Sequence, residues 1–102
     1  MNDRFNVRAA SKQELPRAVQ LFQEVLNSFQ YYDDHAKENE RNYYSLLKLT
    51  TRQAEDAYSV LVAMRDSGEL VGFCFNRMND FDFTIYIDWF GVAPSERNRG
   101  IG

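Results

Sequence analysis

The sequence predicts a small α+β domain with two helices and a mixed, mostly antiparallel sheet. The first half of the chain carries apolar residues at helical spacing, whereas the second half holds three apolar, β-rich segments separated by turn sequences. A length of 102 residues suits one small domain, and an apolar content of 44% is enough to build its core. We therefore expect residues 1–102 to form a single domain.

The first predicted elements are a short strand and an amphipathic helix. Residues 5–8 alternate apolar and polar side chains, which is typical of a strand. Ser11 and Glu14 have the spacing of a capping box, which marks a helix start. Because Pro16 is late for a first-turn proline, either the first turn is distorted or the helix begins nearer Glu14. One apolar face follows, formed by Leu15, Ala18, Phe22, Val25, Leu26 and Phe29.

Residues 30–40 are polar, contain Tyr31 and Tyr32, and lead into a second helix. This helix is predicted from about His35 to Leu49, so it begins within the polar stretch. Its periodicity is weaker than that of the first helix. The side chains expected to face inward are those of Ala36, Tyr43, Leu46 and Leu47. Residues 50–56 are polar and are predicted to form a linker.

Three strands are predicted in the second half. Residues 58–65 and 70–77 are separated by a hairpin signal at residues 66–69, and both are apolar almost throughout, as in strands covered on both faces. A turn at residues 79–82 leads to a third long strand at residues 83–92. Pro94 cannot donate to a ladder and ends that strand. The predicted order is β-α-α-β-β-β, followed by a glycine-rich loop.

Composition excludes several classes of protein. A net charge of −3 gives no reason to expect nucleic acid or an anionic membrane as a partner. The apolar runs at residues 60–64 and 70–75 are far shorter than the ~20 residues of a membrane-spanning helix. Residues 1–8 contain no hydrophobic stretch that resembles a secretory signal. One cysteine, Cys74, and one histidine, His35, cannot assemble a zinc site, so no metal is expected. These features favour a cytoplasmic protein.

The segment with the strongest chemical signal is the loop after the last predicted strand. It places Arg97 and Arg99 beside Gly100 and Gly102. Glycine lets backbone N–H groups approach an anion without a Cβ in the way, and consecutive N–H groups in such a turn form a concave site for phosphate oxygens. The two arginines add charge-assisted contacts. The loop therefore predicts a phosphate-binding site.

The segment strand-Val-x-Pro-x-x-Arg-x-x-Gly-x-Gly, which ends at Gly102, resembles the signature of the GNAT superfamily of N-acetyltransferases. The stretches at residues 8–10, 68–73 and 87–92 are also similar to GNAT sequences at the matching points. The resemblance covers the whole chain but only the first part of the family's domain. It implies a partial GNAT domain that stops within its own acetyl-CoA-binding loop.

The resemblance also implies where acetyl-CoA, the cosubstrate, would bind. In this family a bulge in the fourth strand helps to open a V-shaped cleft. Backbone groups of Phe90, Gly91 and Val92 would bond the acetyl and pantetheine amides. The pyrophosphate would be held by the loop formed by Arg97, Asn98, Arg99, Gly100, Ile101 and Gly102. The acceptor, an amine-bearing small molecule or a protein N-terminus or lysine, would enter near Tyr31 and Tyr32. The neutral amine would attack the thioester directly.

Asp88 and Tyr86 are the candidate catalytic residues. Asp88 is a carboxylate in an apolar strand, and burying a charge is costly unless it is paired or functional. A general base would take the proton from the substrate ammonium. The family's most familiar base is a glutamate two positions earlier, where this sequence has Tyr86. Three alternatives are that Asp88 hydrogen-bonds backbone at the bulge, that Tyr86 is a core residue, and that Tyr31 and Tyr32 are ordinary surface tyrosines.

Because the resemblance covers only part of the family's domain, we expect the chain by itself to be catalytically inactive. The edge of the last strand would be uncovered, which favours a homodimer. An alternative is a natural, non-catalytic GNAT-like interaction or regulatory module, also dimeric. A further alternative is an unrelated small α+β binding protein, which a strand order other than β1-β2-β3-β4 or an unbulged fourth strand would favour.

Overall fold

The computed structural model describes residues 5–79 and 84–93, except for the side chains of Ala57, Met78, Asn79, Thr84 and Tyr86. Within these residues, four strands and three α-helices follow one another along the chain. In order they are β1 (Phe5–Ala9), α1 (Leu15–Asn27), α2 (Asp34–Tyr43), α3 (Leu46–Glu55), β2 (Val60–Arg65), β3 (Leu70–Asn79) and β4 (Thr84–Val92). A short 3₁₀ turn at Ala57–Ser59 leads from α3 into β2.

The four strands form one sheet in the order β1-β2-β3-β4, and each neighbouring pair is antiparallel. In the first half of the sheet, Val7 lies opposite Ala63, which lies opposite Gly72. The α+β class is therefore confirmed. The order is also the predicted one, which counts against the alternative of an unrelated small α+β binding protein. None of the helices in the described residues is long and apolar enough to span a bilayer.

The core lies between α1 and one face of the sheet, with Phe22 at its centre. The Phe22 ring is fully buried, and its centroid lies 5.5 Å from Tyr44, 5.9 Å from Phe73, 5.3 Å from Phe75 and 5.4 Å from Trp89. Burial of an aromatic side chain of this size stabilises a fold by roughly 1.5–3 kcal/mol. The predicted apolar face of the first helix is accordingly buried from Leu15 to Leu26.

The first helix begins at Leu15, which places Pro16 in its first turn. Of the two predicted possibilities, the helix start near Glu14 is therefore the one observed. Only half of the predicted capping box forms. The Glu14 carboxylate accepts a hydrogen bond from the Ser11 N–H at 2.8 Å, but no side chain caps the helix. The prediction that Phe29 faces the core as part of this helix was wrong, because the helix ends at Asn27 and Phe29 is 38% exposed.

The second predicted helix is in fact two helices, which meet at Tyr44 and Ser45. The Ser45 hydroxyl accepts a hydrogen bond from the Lys48 N–H at 3.3 Å and starts a new helix there. That helix continues to Glu55, so the prediction of a linker at residues 50–56 was wrong. The inward side chains are those of Tyr44 and Leu49, whereas three predicted ones, Tyr43, Leu46 and Leu47, are exposed.

The hairpin between β2 and β3 forms where the sequence predicts it. Gly68 has a φ of +93°, a conformation that favours glycine, and its N–H donates to the Arg65 carbonyl at 2.8 Å. The expectation that these two strands are covered on both faces fits the described residues, because their described apolar side chains are all buried or half-buried. The apolar side chains of the sheet that are more than 60% exposed lie instead on β1 and β4, namely Val7, Ile85, Ile87 and Phe90.

Candidate active site

A β-bulge interrupts the pairing of β3 with β4. Phe75 lies opposite Trp89, but the next residue, Asn76, lies opposite Ile87, so Asp88 is the extra residue on β4. A bulge bends its strand and redirects the side chains around it. Here Asp88 and its neighbour Trp89 both contact the helices. The predicted bulge in the fourth strand is present.

A cleft of about 960 Å³ opens between the helices and β4. Its helix side is lined by Val25, Phe29, Tyr31, Tyr32, Glu40 and Tyr44, and its strand side by residues 87–92. The cleft thus brings the predicted acceptor residues Tyr31 and Tyr32 together with Asp88 and with the predicted cosubstrate-binding residues Phe90, Gly91 and Val92. Tyr31 is 98% exposed and Tyr32 is 38% exposed.

Asp88 lies between two guanidinium groups. Its Oδ1 is 3.3 Å from Nε of Arg77, and its Oδ2 is 3.7 Å from Nη1 of Arg52. The Asp88 side chain is only 10% exposed, and Oδ2 accepts no hydrogen bond from any described residue. Asp88 is therefore an ion-paired carboxylate with one oxygen left to accept a proton or a hydrogen bond.

Tyr44 and Glu40 join the main cleft to a side cavity. This cavity of about 330 Å³ is lined by Asn39, Glu40, Tyr43, Tyr44, Arg77 and Asp88. Burial raises the pKa of the Tyr44 phenol well above its usual range, and the negative charges of Asp88 and Glu40 raise it further. A tyrosine phenol is protonated at neutral pH in any case, so Tyr44 has a hydroxyl proton to donate there, and the raised pKa extends this into the alkaline range.

Trp89 lies at the centre of the cleft wall. Its indole N–H donates to Oε2 of Glu40 at 3.3 Å, and its ring centroid lies 5.6 Å from Phe29 and 6.0 Å from Tyr32. Sequence patterns alone did not indicate five of these site residues, namely Phe29, Glu40, Arg52, Arg77 and Trp89. The bulge places Trp89 on the helix side, and only the doublet Asp88–Trp89 in an apolar strand hints at it.

Gly91 allows α1 to pack closely against β4. A Cβ at this position would lie 2.7 Å from Cε1 of Phe73 and 3.0 Å from Cγ2 of Val25, both of which are buried. Such distances are too short for any larger residue unless its neighbours move. Glycine is therefore required at this point of the cleft wall by packing.

The open edge of β4 also borders the cleft. The Ala93 N–H donates to the Val71 carbonyl at 2.8 Å. Because residues of an antiparallel strand alternate between facing their partner and facing away, the N–H and C=O groups of Phe90 and Val92 point away from β3. No strand in the described part of the chain pairs with that edge.

Some predicted site residues cannot be placed. Pro94 and the loop formed by Arg97, Asn98, Arg99, Gly100, Ile101 and Gly102 lie outside the described residues, as does the side chain of Tyr86. The backbone of Tyr86 is described and pairs with Arg77. Among the described residues, no group of three or more His, Cys, Asp or Glu side chains is arranged to hold a metal ion.

The sequence matches the model of the acetyltransferase (GNAT) family over residues 18–102. Together with the sheet order and the bulged fourth strand, this match defines the class, and the chain belongs to the GNAT acetyltransferase family. A comparison with curated proteins gave no match.

Solved structures share the fold at low sequence identity. The PaiA N-acetyltransferase of Thermoplasma acidophilum, in complex with coenzyme A, is similar with a TM-score of 0.76 and 19% identity, covering 96% of this chain and 64% of that one. YncA of Salmonella typhimurium, with its cofactor acetyl-CoA, gives a TM-score of 0.64 at 21% identity, covering 97% of this chain and 57% of that one.

The ribosomal-protein-alanine N-acetyltransferase of Brucella melitensis gives a TM-score of 0.59 at 22% identity, covering 95% of this chain and 59% of that one. The present chain thus spans between 57% and 64% of the length of these three proteins. At such identities the likeness concerns the fold.

Proposed function

We propose that the cleft belongs to an N-acetyltransferase that transfers an acetyl group from acetyl-CoA to a primary amine. The observation that carries the proposal is the bulge at Asp88, because it opens the cleft beside a free strand edge in a chain of the GNAT family. Acetyl-CoA supplies the activated acyl group as a thioester. The neutral amine attacks its carbonyl carbon, the C–S bond breaks, and the thiol leaves with a proton.

The edge of β4 fits a ligand that carries amide groups. The N–H and C=O groups of Phe90 and Val92 point away from β3, so they can bond an extended chain as an added strand would. Gly91 lies between them and also lines the cleft. We assign the acetyl and pantetheine amides to these three residues, and the pyrophosphate to the basic, glycine-rich segment at residues 97–102.

Asp88 is the proposed proton acceptor. Asp88 lines the cleft, and its buried Oδ2 has no hydrogen-bond donor among the described residues. We therefore assign its carboxylate as the base that accepts the proton of the acceptor ammonium, directly or through water. Tyr86 is a second candidate, two residues before Asp88 on the same strand. Tyr31 and Tyr32 form the wall that the acceptor contacts.

The cosubstrate assignment is tested by removing one N–H group from the strand edge. Val92→Pro removes an N–H that makes no bond to β3, whereas the control Val92→Ala keeps it. In a chain extended past Gly102, calorimetric titration with acetyl-CoA should show weaker binding to the proline variant alone, provided that both variants melt at similar temperatures. Equal affinities of the two variants would count against this binding mode.

We also propose that the 102-residue chain is inactive on its own and binds acetyl-CoA weakly. In the described residues β4 provides one wall of the cosubstrate cleft, and no second strand faces it. Titration of acetyl-CoA into this chain and into one extended past Gly102 would test this. Acetyl transfer by the pure 102-residue chain, measured as the release of free coenzyme A, would contradict the proposal.

A homodimer is proposed for the same chain, because the β4 edge and the face bearing Ile85, Ile87 and Phe90 are exposed and apolar. The alternative function, a non-catalytic interaction module, relies on this same surface. Sedimentation velocity tests the dimer, and a strictly monomeric chain would contradict it. A dimer that never binds acetyl-CoA, even when extended, would favour the module over the enzyme.

A further inference from the structure

A continuous aromatic surface formed by Phe29, Tyr32 and Trp89 connects the helix side of the cleft with its strand side. The three ring centroids lie 5.9, 5.6 and 6.0 Å from one another. Rings this close are in mutual contact, so a guest does not fit between them and instead lies on their outer faces. Phe29 and Tyr32 are each 38% exposed, which is high for aromatic side chains held in a fixed cluster.

Glu40 fixes this aromatic surface and places a carboxylate at its border. Its Oε2 accepts the Trp89 N–H at 3.3 Å, which sets the orientation of the indole ring. Phe22 supports the same ring from the core side at 5.4 Å between centroids. The Glu40 side chain is half-buried and lines both the main cleft and the side cavity.

The charged side chains that line the main cleft within the described residues are Glu40 and Asp88, both acidic. Asp88 is balanced by Arg77 and Arg52, which lie 3.3 and 3.7 Å from its oxygens. Glu40 is instead held by the neutral indole of Trp89. Its carboxylate is therefore the one suited to attract a cation that enters the cleft.

We propose that the acceptor is a primary amine carrying an aromatic or bulky apolar group. The apolar group lies on the surface of Phe29, Tyr32 and Trp89, while Glu40 pairs with the ammonium group as it arrives. This inference rests on the proposed transferase function and names its substrate class. A free arylalkylamine and a peptide that begins with an aromatic residue present the same chemistry.

The proposal fits the division of charge in the cleft. An ammonium group beside an aromatic ring and a carboxylate gains both cation–π and ionic attraction. Glu40 binds the charged form on entry. The ammonium then gives one proton to Asp88, and the neutral amine that results attacks the thioester. Acceptors that carry a negative charge are repelled by the Glu40 carboxylate and are disfavoured.

Binding of the acceptor can be measured without acetyl-CoA. Trp89 is the only tryptophan of the chain, so its fluorescence reports occupancy of this surface directly. The probes are 2-phenylethylamine, ethylamine and 2-phenylethanol, which separate the contributions of ring and charge. A tripeptide amide that begins with phenylalanine distinguishes a peptide acceptor from a free amine. We expect 2-phenylethylamine to bind about tenfold more tightly than ethylamine or 2-phenylethanol.

Two matched variants test the part played by Glu40. Glu40→Gln removes the charge but keeps an oxygen that can accept the Trp89 N–H. Glu38→Gln removes a charge from the same helix, at an exposed position outside the cleft lining. Only the first should weaken 2-phenylethylamine binding, by about tenfold, and neither should change the binding of 2-phenylethanol.

The inference is overturned if 2-phenylethylamine gives no saturable change in fluorescence, if ethylamine binds equally well, or if the two variants behave alike. Its failure is distinguishable from that of the transferase proposal. If amines with an aromatic ring bind selectively but a chain extended past Gly102 transfers no acetyl group, only the transferase proposal is contradicted. If that chain acetylates simple alkylamines with no preference for a ring, only the inference about the acceptor is contradicted.

Discussion

Nε of Arg77 lies 3.3 Å from Oδ1 of Asp88, which ties β3 to the one residue of β4 that has no partner in the ladder. On the other side, Nη1 of Arg52 in α3 lies 3.7 Å from Oδ2. The bulge is therefore fixed by charge from two elements, and not only by its own backbone. This relationship gives Asp88 a structural role that is separate from any part in proton transfer.

Replacing Asp88 by asparagine should destabilise the fold. Asp88→Asn keeps the shape of the side chain but leaves Arg52, only 23% exposed, without its counter-charge. Removing one partner of a buried polar pair costs roughly 1–3 kcal/mol. Urea unfolding followed by circular dichroism measures the loss. A double-mutant cycle that also includes Arg52→Gln and the double variant should show that the two losses in free energy of unfolding are not additive. Strictly additive losses would mean that the Arg52–Asp88 pair contributes nothing to stability.

A methyl group at position 91 should also destabilise the protein. In Gly91→Ala, the new Cβ would lie 2.7 Å from Cε1 of Phe73 and 3.0 Å from Cγ2 of Val25. Overpacking of this kind costs roughly 1–3 kcal/mol. Thermal unfolding should give a lower Tm for the variant. Adding Phe73→Leu makes room at the closer contact, so the Gly91→Ala penalty should be smaller in that background. An equal penalty in both backgrounds would refute the packing argument.

The sequence predicted the second half of the fold better than the first. Strands of β-branched and aromatic residues separated by polar turn sequences carry a strong local signal, so the ends of β2, β3 and β4 were predicted within two residues. The break at Tyr44 was missed because helical spacing tolerates a short interruption, and the Ser45 cap that causes it is a weak signal among polar residues.

The site was predicted in part. The cleft does collect Tyr31, Tyr32, Asp88 and residues 90–92, but the roles of these residues stay predictions. Glu40 and Trp89 are 49 positions apart, and nothing local in the sequence indicates that they meet. Their contact depends on the bulge, which turns Trp89 towards the helices and is not encoded by any periodicity.

The pair formed by Arg8 and Glu14 predicts a dependence of stability on pH. Hydrogen bonds from Arg8 lower the pKa of Glu14 from its ordinary 4.5 to about 2, and the Ser11 N–H contributes. A carboxyl whose folded pKa is depressed stabilises the fold above its unfolded pKa, and that stability is lost as pH falls towards the folded pKa. Above pH 4.5 the parent should be more stable than Glu14→Gln, and this difference in stability should disappear as the pH falls from 4.5 to about 2.

Urea midpoints of the two proteins at pH 6, 4 and 3 measure this difference. Because Arg8 is the chief cause of the shift, Arg8→Gln should behave like Glu14→Gln, and the double variant should add little to either. A gap between parent and variant that stays constant over the whole range would show that the pair does not contribute through ionisation.

Cys74 should react slowly with alkylating reagents at neutral pH. Burial raises the pKa of its thiol, the negative charge of Asp88 raises it further, and a hydrogen bond with Asn76 opposes both effects. The rate of iodoacetamide alkylation, measured against pH, should therefore rise only at a higher pH than for a cysteine peptide. In denaturing urea the two profiles should coincide. A profile that matches the peptide in the folded protein would contradict the prediction.

Phe22 has a consequence for how the protein can diverge or be redesigned. Its ring contacts Phe73 and Phe75 on the sheet and, from the same buried position, Trp89 in the cleft wall. A substitution that repacks the interior thus also tilts the surface on which a ligand would rest. Ligand selectivity and thermal stability therefore depend on the same side chain, and a change selected for one of these properties also alters the other.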